Sequence, residues 1–145
     1  MDDYLKALCI ELHHIAKETE GKTLNTIYIG GGTPTTLTAK QLEKLLNVVD
    51  ELFLNEERGA ELLEYTVEAG RPDSITKEKL EVICSHPVTR ISVNPQTMQQ
   101  KTLDLVGRKH TVQAVKDIFH LARELGFDNI NMDLIAGLPE KMRKI

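Results

Sequence analysis

The sequence predicts an α/β fold of about four parallel strands with flanking helices. Segments with helical spacing of apolar residues alternate with short β-rich runs along the 145 residues, and such alternation produces parallel strands joined by right-handed crossovers. Glycine or polar residues stand at the carboxyl end of every predicted strand. A TIM barrel assembles its site there from several strands, whereas a doubly wound sheet concentrates its site at one switch point. We therefore expect part of a TIM-type (β/α) barrel.

The first half of the chain is predicted to hold two helices and two strands. The first helix ends near Gly21, and the first strand covers Asn25–Ile29. Thr38 and Gln41 have the spacing of a capping box, which begins the second helix. The second strand covers Leu63–Glu68. The apolar residues that recur on one face of the first helix are Leu5, Leu8, Cys9, Leu12 and Ile15.

The second half continues the alternation of helices and strands. Between the halves, Glu56–Arg58 is expected to be a solvated helix end. The further predicted elements are a helix over Lys77–Cys84, a strand over Thr89–Val93, a short helix over Thr97–Val106, a helix capped by Thr111 and stopped by Gly126, and a strand over Asn129–Ile135. No linker or low-complexity segment interrupts them, so residues 1–145 are expected to form one unit without an internal boundary.

Composition narrows the classes of function. The net charge is −4 and aromatic residues make up 4%, which argues against a nucleic-acid surface, since that would be basic and carry stacking rings. No apolar run approaches the length of a membrane span, and no signal peptide is visible. Cys9 and Cys84 do not make a disulfide framework and are expected to be small core residues. We expect a cytoplasmic protein without membrane or nucleic-acid partners.

The segment Thr26–Thr35 (TIYIGGGTPT) is the most informative run of the sequence. Glycine has no Cβ, so its backbone approaches a ligand closely and adopts positive φ angles. A turn needs one or two glycines, whereas three in a row at the end of a strand suggest a ligand cradle. Pro34 then stops the strand, because proline cannot donate to the sheet. The run lacks the G-x-G-x-x-G spacing of a dinucleotide-binding fold.

Four segments resemble motifs of the radical SAM enzymes. They are Tyr28–Thr35 (YIGGGTPT), Val67–Asp73 (VEAGRPD), Arg90–Thr97 (RISVNPQT) followed by Leu105–His110 (LVGRKH), and Asn131–Pro139 (NMDLIAGLP). More narrowly, the chain is similar to the group of oxygen-independent coproporphyrinogen III oxidases, with its HemZ, HemN and HemW branches. The resemblance covers nearly the whole chain, and four motifs in order are far more specific than one.

The resemblance implies an S-adenosylmethionine site at the ends of the strands. Backbone and side chain of Gly31, Gly32 and Thr33 would hold the methionine amino group of the cofactor, and the residues around its ribose and carboxylate would be Glu68, Gln96, Arg108 and Asp133. Carboxylates accept hydrogen bonds from an ammonium or from ribose hydroxyls, and an arginine fork matches a carboxylate. In the family, an electron from a [4Fe–4S] cluster cleaves the cofactor to a 5′-deoxyadenosyl radical.

One family motif is missing from the sequence. Radical SAM enzymes bind the cluster through Cys-x-x-x-Cys-x-x-Cys, and this chain contains only two cysteines, both on predicted helices. We therefore expect an internal fragment, from helix 1 to strand 5 of the barrel, that is inactive alone and binds S-adenosylmethionine weakly or not at all. Strands cut from a barrel have unpaired edges, which favours self-association.

Three functions stay open from the sequence. The resemblance implies an oxidase that decarboxylates the propionates of a porphyrinogen, or else a haem chaperone on the same scaffold, so that the partner of the whole protein is a porphyrinogen or haem. The third reading is an unrelated α/β protein whose motifs agree by coincidence.

Overall fold

The computed structural model describes residues 1–54 and 62–139, and Glu56–Arg58 lies outside these ranges. It contains five helices and four strands within the described ranges. The helices are α1 (Asp2–Glu18), α2 (Ala39–Phe53), α3 (Lys77–Cys84), α4 (Gln100–Leu105) and α5 (Val112–Glu124). The strands are β1 (Thr26–Ile29), β2 (Glu64–Gly70), β3 (Arg90–Gln96) and β4 (Ile130–Leu134). Short 3-10 turns follow β1 and β2 at Pro34–Thr36 and Pro72–Ser74.

The four strands form one sheet in the order β1-β2-β3-β4, and every neighbouring pair is parallel. A doubly wound sheet reverses its strand order at a switch point, so the sequential order agrees with the predicted barrel-type arrangement. The register aligns Ile29 with Val67, and Ile91 with Ile130. It shifts between Glu68 and Gly70 on β2, and again between Val93 and Gln96 on β3. Such bulges re-aim the side chains that follow them.

The sheet has one apolar and one polar face, because side chains alternate along a strand. The apolar face packs against α1, α2, α3 and α5 in a single cluster, to which the two central strands contribute Tyr65, Val67, Ala69, Ile91 and Val93. The intervening residues of the same strands include Thr66, Glu68, Ser92 and Asn94. None of these polar residues belongs to the apolar cluster, and their face is the one that a barrel-type sheet turns toward its interior.

The helix boundaries follow the predicted caps. The Gln41 amide donates to Thr38 Oγ1 over 3.3 Å, and the Thr38 amide donates to Gln41 Oε1 over 3.0 Å, so the capping box is complete. Thr111 Oγ1 accepts from the amide of Ala114 at the start of α5. Gly126 follows the end of α5 with φ +99°. No helix in the described ranges is long and apolar enough to cross a membrane.

Four predictions, about two strands, one helix and one cysteine, need correction. The second strand, predicted over Leu63–Glu68, runs on to Gly70, and the third, predicted over Thr89–Val93, runs on to Gln96, because each takes up a bulge instead of ending. The short helix begins at Gln100 rather than Thr97. Cys84 is exposed and not a core residue, since it ends α3, and its Sγ donates to the Leu125 carbonyl. Cys9 is half-buried.

A small polar cluster lies within the apolar layer, near the amino end of β2. His86 Nδ1 pairs with Asp50 Oδ2 at 2.5 Å. The Tyr65 hydroxyl is fully buried, and neither it nor Asp50 Oδ1 has a hydrogen-bond partner among the described residues. Burial, and then the charge of Asp50, raise the pKa of Tyr65 above its ordinary value of 10.0. In TIM barrels, active sites lie at the opposite, carboxyl end of the strands.

Candidate functional site

The loop after β1 is open where the sequence predicts contact with a ligand. Gly31 has φ +107°, and a Cβ built on Gly31 or Gly32 meets no atom within 4 Å. Thr33 Oγ1 donates to the Gly32 carbonyl over 2.7 Å. Gly30 differs from the other two, because its Cβ would meet the ring of Tyr28 and lie 3.0 Å from Glu68 Oε2. The loop therefore leaves space at Gly31 and Gly32, while Gly30 permits close packing on β2.

The Glu68 carboxylate on β2 is held at both oxygens. The Tyr28 hydroxyl donates to Oε2 over 3.2 Å, and Asn94 Nδ2 donates to Oε1 over 3.0 Å. Desolvation, and then the charge of Glu68, raise the pKa of Tyr28, so the phenol keeps its proton for this bond. A carboxylate has about four acceptor positions. Glu68 can therefore accept further hydrogen bonds from a ligand without losing these two.

A chain of hydrogen bonds continues from Glu68 across β3 to β4. Ser92 Oγ donates to Asn94 Oδ1 over 2.9 Å, and Asn131 Nδ2 donates to Ser92 Oγ over 3.2 Å. Asn131 Nδ2 also donates to Asp133 Oδ1 over 2.8 Å. Two predicted site residues on different strands, Glu68 and Asp133, are thereby joined through three polar side chains of the open face.

Gln96 ends β3 in an unusual conformation. Its φ is +64°, the only positive value at a non-glycine residue in the described ranges. Its carbonyl accepts from the Ile135 amide at 2.9 Å, and the preceding Pro95 carbonyl accepts from the buried ring of His110 at 3.2 Å. A residue in this region is strained and is kept there by its surroundings. The bulge and these two bonds turn Gln96 out of the regular alternation of the strand.

Gln96 and Arg108 keep their side chains free among the described residues, where neither has a hydrogen bond or an ion pair. Arg108 is half-buried in the loop between α4 and α5, and its backbone amide donates to the Leu103 carbonyl. His110, two residues further on, anchors the same loop to Pro95 at the end of β3. An amide and a guanidinium without a protein partner are suited to bind a polar ligand.

The loop after β1 also packs on the end of β2. Gly70 has φ +75°, and a Cβ there would lie 2.8 Å from Thr33 Cγ2. On the helix side of the loop, an apolar groove of about 480 Å³ runs between α1 and the residues Gly30–Leu37. The groove is lined by Gly30, Gly32 and Thr33 but by none of the polar side chains of β2, β3 and β4, so the glycine loop borders both surfaces.

The predicted residues thus fall into two groups. The first group lies at the adjoining ends of β1 and β2 and comprises Gly31, Gly32, Thr33 and Glu68, to which Asp133 is joined through the chain of hydrogen bonds. The second group is Gln96, at the end of β3, and Arg108, in the loop after α4. Their side chains make no hydrogen bond or ion pair with the first group. Sequence reasoning missed the connecting residues, which are Tyr28, Ser92, Asn94 and Asn131. Alternating polar residues in the Arg90–Gln96 segment (R-x-S-x-N) were the signal that could have found two of them.

Comparison with known proteins agrees with this architecture. The family model described as the radical SAM superfamily matches residues 9–145. The chain is 47% identical over 116 residues to the oxygen-independent coproporphyrinogen-III oxidase-like protein HemZ of Bacillus subtilis, covering 80% of this chain and 23% of that protein. It is 39% identical over 144 residues to the heme chaperone HemW of Bacillus subtilis, covering 99% of this chain and 37% of that protein.

A solved structure shows the same fold. Coproporphyrinogen III oxidase (HemN) from Escherichia coli, described as a radical SAM enzyme, superposes with a TM-score of 0.83 at 31% identity. The match covers 97% of this chain and 31% of that one. The chain thus spans well under half the length of these relatives. A family match over nearly all of its residues, together with these identities, means that the chain belongs to the radical SAM superfamily, in the group that includes HemZ, HemW and HemN.

Proposed function

We propose that this chain holds S-adenosylmethionine for a radical SAM oxidoreductase that oxidatively decarboxylates coproporphyrinogen III in haem biosynthesis. The observation that carries the cofactor part is the pair of carboxylates, Glu68 and Asp133, joined across the polar sheet face beside an open glycine loop. Gln96 and Arg108, at and after the end of β3, add side chains without a partner among the described residues. The substrate part rests on the similarity to HemZ and HemN. A cytoplasmic location goes with this proposal.

The donors and acceptors of this face fit the groups of S-adenosylmethionine. The space above Gly31 and Gly32, with Thr33, receives the methionine amino group, and backbone carbonyls there accept its protons. Glu68 and Asp133 accept from the ribose hydroxyls. Arg108, which has no ion-pair partner among the described residues, binds the carboxylate as a fork. Gln96 supplies both a donor and an acceptor.

Protein and cofactor divide the work in this proposal. S-adenosylmethionine, when bound, supplies the one-electron chemistry of the family. The chain orients the cofactor and excludes misplaced conformers through hydrogen bonds from rigid strand ends. The [4Fe–4S] cluster that the family implies has no ligand set in these residues, since Cys9 lies on α1 and Cys84 at the end of α3, away from the strand ends.

A haem chaperone on the same scaffold is the second candidate. The similarity to HemW of Bacillus subtilis extends over 99% of the chain, further than the similarity to HemZ. The two functions differ in the molecule that the whole protein binds, a porphyrinogen that is turned over or a haem that is retained. They share the cofactor site proposed above.

Isosteric substitutions test the cofactor site. The experiment uses the full-length protein, purified without oxygen and with its cluster reconstituted. Glu68→Gln and Asp133→Asn should each weaken the binding of S-adenosylmethionine roughly tenfold, the effect of one charged hydrogen bond. Glu64→Gln is the matched control, because Glu64 is on the same strand face but pairs with Arg90 at 3.1 Å. Equal affinities of all three variants and the parent would refute the site.

Turnover and haem retention separate the two candidate functions. The same preparation is given coproporphyrinogen III with S-adenosylmethionine and a reductant, and is separately titrated with haem. Release of carbon dioxide with loss of propionates supports the oxidase. Stoichiometric, stable haem binding without turnover would show that the protein is the chaperone.

Self-association through the sheet edges stays a further prediction. Within the described residues, β1 and β4 each pair on one side only. Open edges of this kind template pairing with another chain. Sedimentation of residues 1–145 over a range of concentrations should show dimers or larger species; a monomer throughout would contradict the prediction.

A further inference from the structure

The two carboxylates of the proposed site are joined by side chains with no assigned role. Glu68 on β2 and Asp133 on β4 are separated by the whole width of β3. Asn94 and Ser92 from β3 and Asn131 from β4 fill that interval, with successive donor–acceptor distances between 2.8 and 3.2 Å. We call these three residues the polar bridge.

The bridge has one consistent pattern of protons. Glu68 and Asp133 only accept when ionised, so Asn94 and Asn131 must each turn an NH₂ group toward a carboxylate. Asn94 then presents Oδ1 to Ser92, whose single proton goes to that oxygen. The Ser92 oxygen is left as the acceptor for Asn131. Rotating either amide by 180° would set an oxygen against a carboxylate, so each orientation fixes the next.

Burial makes the β3 part of this pattern hard to replace with water. Ser92 is 4% exposed and Asn94 7% exposed, whereas Asn131 is half-buried and Asp133 is exposed. Buried hydrogen bonds in series strengthen one another, and leaving one buried group unpaired is costly. The bridge therefore prefers one arrangement and transmits a change at one end to the other. A set of independent surface contacts would not do so.

We propose that Ser92, Asn94 and Asn131 are positioning residues that lock the Glu68 and Asp133 carboxylates into one unit directed at the ribose hydroxyls of the cofactor. The assignment of the ribose rests on the proposed function above. The locking itself does not, because it concerns the two carboxylates with or without a ligand. Each of the three residues acts through a carboxylate and none needs to touch the cofactor.

Carbon-13 NMR of the two carboxylates tests the locking directly. The full chain is labelled with ¹³C at glutamate and aspartate side chains, and the carboxyl chemical shifts of Glu68 and Asp133 are recorded at neutral pH without ligand. Ser92→Ala touches neither carboxylate, yet it should move both signals, since each carboxylate accepts a hydrogen bond from an amide that Ser92 holds in place. Unchanged signals, or a change at only one carboxylate, would overturn the proposal.

A control and a second variant protect the test against simple misfolding. Thr66→Val removes a buried hydroxyl from the same sheet face, but Thr66 donates to Glu64 over 2.7 Å and not to the bridge. It should raise the pKa of Glu64, which that bond lowers, and leave the carboxyl signals of Glu68 and Asp133 in place. Asn131→Ala enters the bridge from the other end. It should move the carboxyl signal of the distant Glu68, and an unchanged Glu68 signal would contradict the proposal.

Cofactor binding then separates this proposal from the function on which it rests. In the reconstituted full-length protein, Ser92→Ala should raise the dissociation constant of S-adenosylmethionine roughly five- to twentyfold, while Thr66→Val leaves it within twofold. If the parent protein does not bind S-adenosylmethionine but Ser92→Ala still moves both carboxyl signals, the ligand is wrong and the locking stands. If the parent binds and Ser92→Ala changes neither the carboxyl signals nor the affinity, the locking is wrong and the site stands.

Discussion

His110 Nε2 donates a hydrogen bond to the carbonyl of Pro95 over 3.2 Å, at the peptide that precedes the left-handed Gln96. The imidazole is 3% exposed, and its Nδ1 has no partner among the described residues. A histidine that only fills space in the core would not need a hydrogen bond to a carbonyl at the strained end of a strand. This contact ties the loop that carries Arg108 to the backbone that carries Gln96.

Removing the imidazole should therefore affect both the fold and the end of β3. His110→Ala deletes a buried ring and leaves the Pro95 carbonyl unpaired, which we expect to lower the free energy of unfolding by about 2–4 kcal/mol. His120→Ala is the control, since His120 is exposed on α5, and should change it by less than about 0.5 kcal/mol. Urea unfolding measures both; similar values for the two variants would show that the His110 contact contributes little.

Gly70 and Gly107 form a matched pair for the packing between β2 and the glycine loop. Both have positive φ angles, +75° and +70°, but a Cβ meets Thr33 Cγ2 at 2.8 Å at Gly70 and nothing within 4 Å at Gly107. Because of the positive φ, alanine at either position should lower the free energy of unfolding by about 1 kcal/mol. Gly70→Ala should lower it by about 1–3 kcal/mol more, because its Cβ overpacks against Thr33. Equal losses in thermal unfolding would mean that Thr33 moves aside freely.

Gly30 and Gly32 test the hydrogen bond between Tyr28 and Glu68. A Cβ on Gly30 would displace the Tyr28 ring, whereas a Cβ on Gly32 enters open space, and neither glycine has a positive φ. Gly30→Ala should displace the phenol and break its bond to Glu68, so the pKa of Tyr28 should fall toward its ordinary value of 10.0. Ultraviolet titration of the phenol measures this shift. A shift of the same size in Gly32→Ala would refute the explanation.

Tyr65 predicts how stability depends on alkaline pH. Its pKa in the folded protein lies above the ordinary 10.0, first because of burial and then because of Asp50. Above pH 10.0 the unfolded chain releases this proton while the folded chain keeps it, so the unfolding free energy falls with rising pH, by up to about 1.4 kcal/mol per pH unit. The stabilisation that results from the raised pKa of Tyr65 is fully present below pH 10.0 and is lost as the pH rises above it.

Tyr65→Phe isolates that contribution. Because the hydroxyl lacks a partner among the described residues, the variant should differ from the parent by less than about 1 kcal/mol at pH 7. Between pH 9 and 11 its stability should decline less steeply. Tyr4→Phe, at an exposed position of α1, serves as control and should keep the parental slope. Urea unfolding at each pH measures these stabilities. If the unfolding free energies of Tyr65→Phe and the parent fell in parallel with rising pH, the assignment would be contradicted.

Local signals in the sequence predicted most of the architecture. The spacing of Thr38 and Gln41 located the start of α2, and Lys77–Cys84 was predicted with the bounds that α3 has. Strand ends were harder, because Asn94 and Pro95 indicate a break when each residue is considered singly. In the sheet they occupy a bulge, where a proline without an amide proton is tolerated.

The hydrogen bonds that connect the site residues could not be predicted from local signals in the sequence. The glycine run and Glu68 stand out by residue type, but Ser92 and Asn131 are ordinary until the register aligns them across β3 and β4. Neither position has a local pattern that names its partner. Likewise, nothing around His110 in the sequence indicates that its ring reaches Pro95, fifteen positions away.

The bulges at the ends of β2 and β3 divide each strand into two regions with different tolerance to change. Before the bulge, Val67 and Val93 must fit a fixed apolar layer, so shape decides which substitutions survive. Beyond the bulge of β2, an added Cβ at Gly70 meets Thr33, whereas the half-buried side chain of Gln96, beyond the bulge of β3, has no partner among the described residues. Mutational profiles should therefore change abruptly within β3, and new ligand preferences could evolve at its end while the core is inherited unchanged.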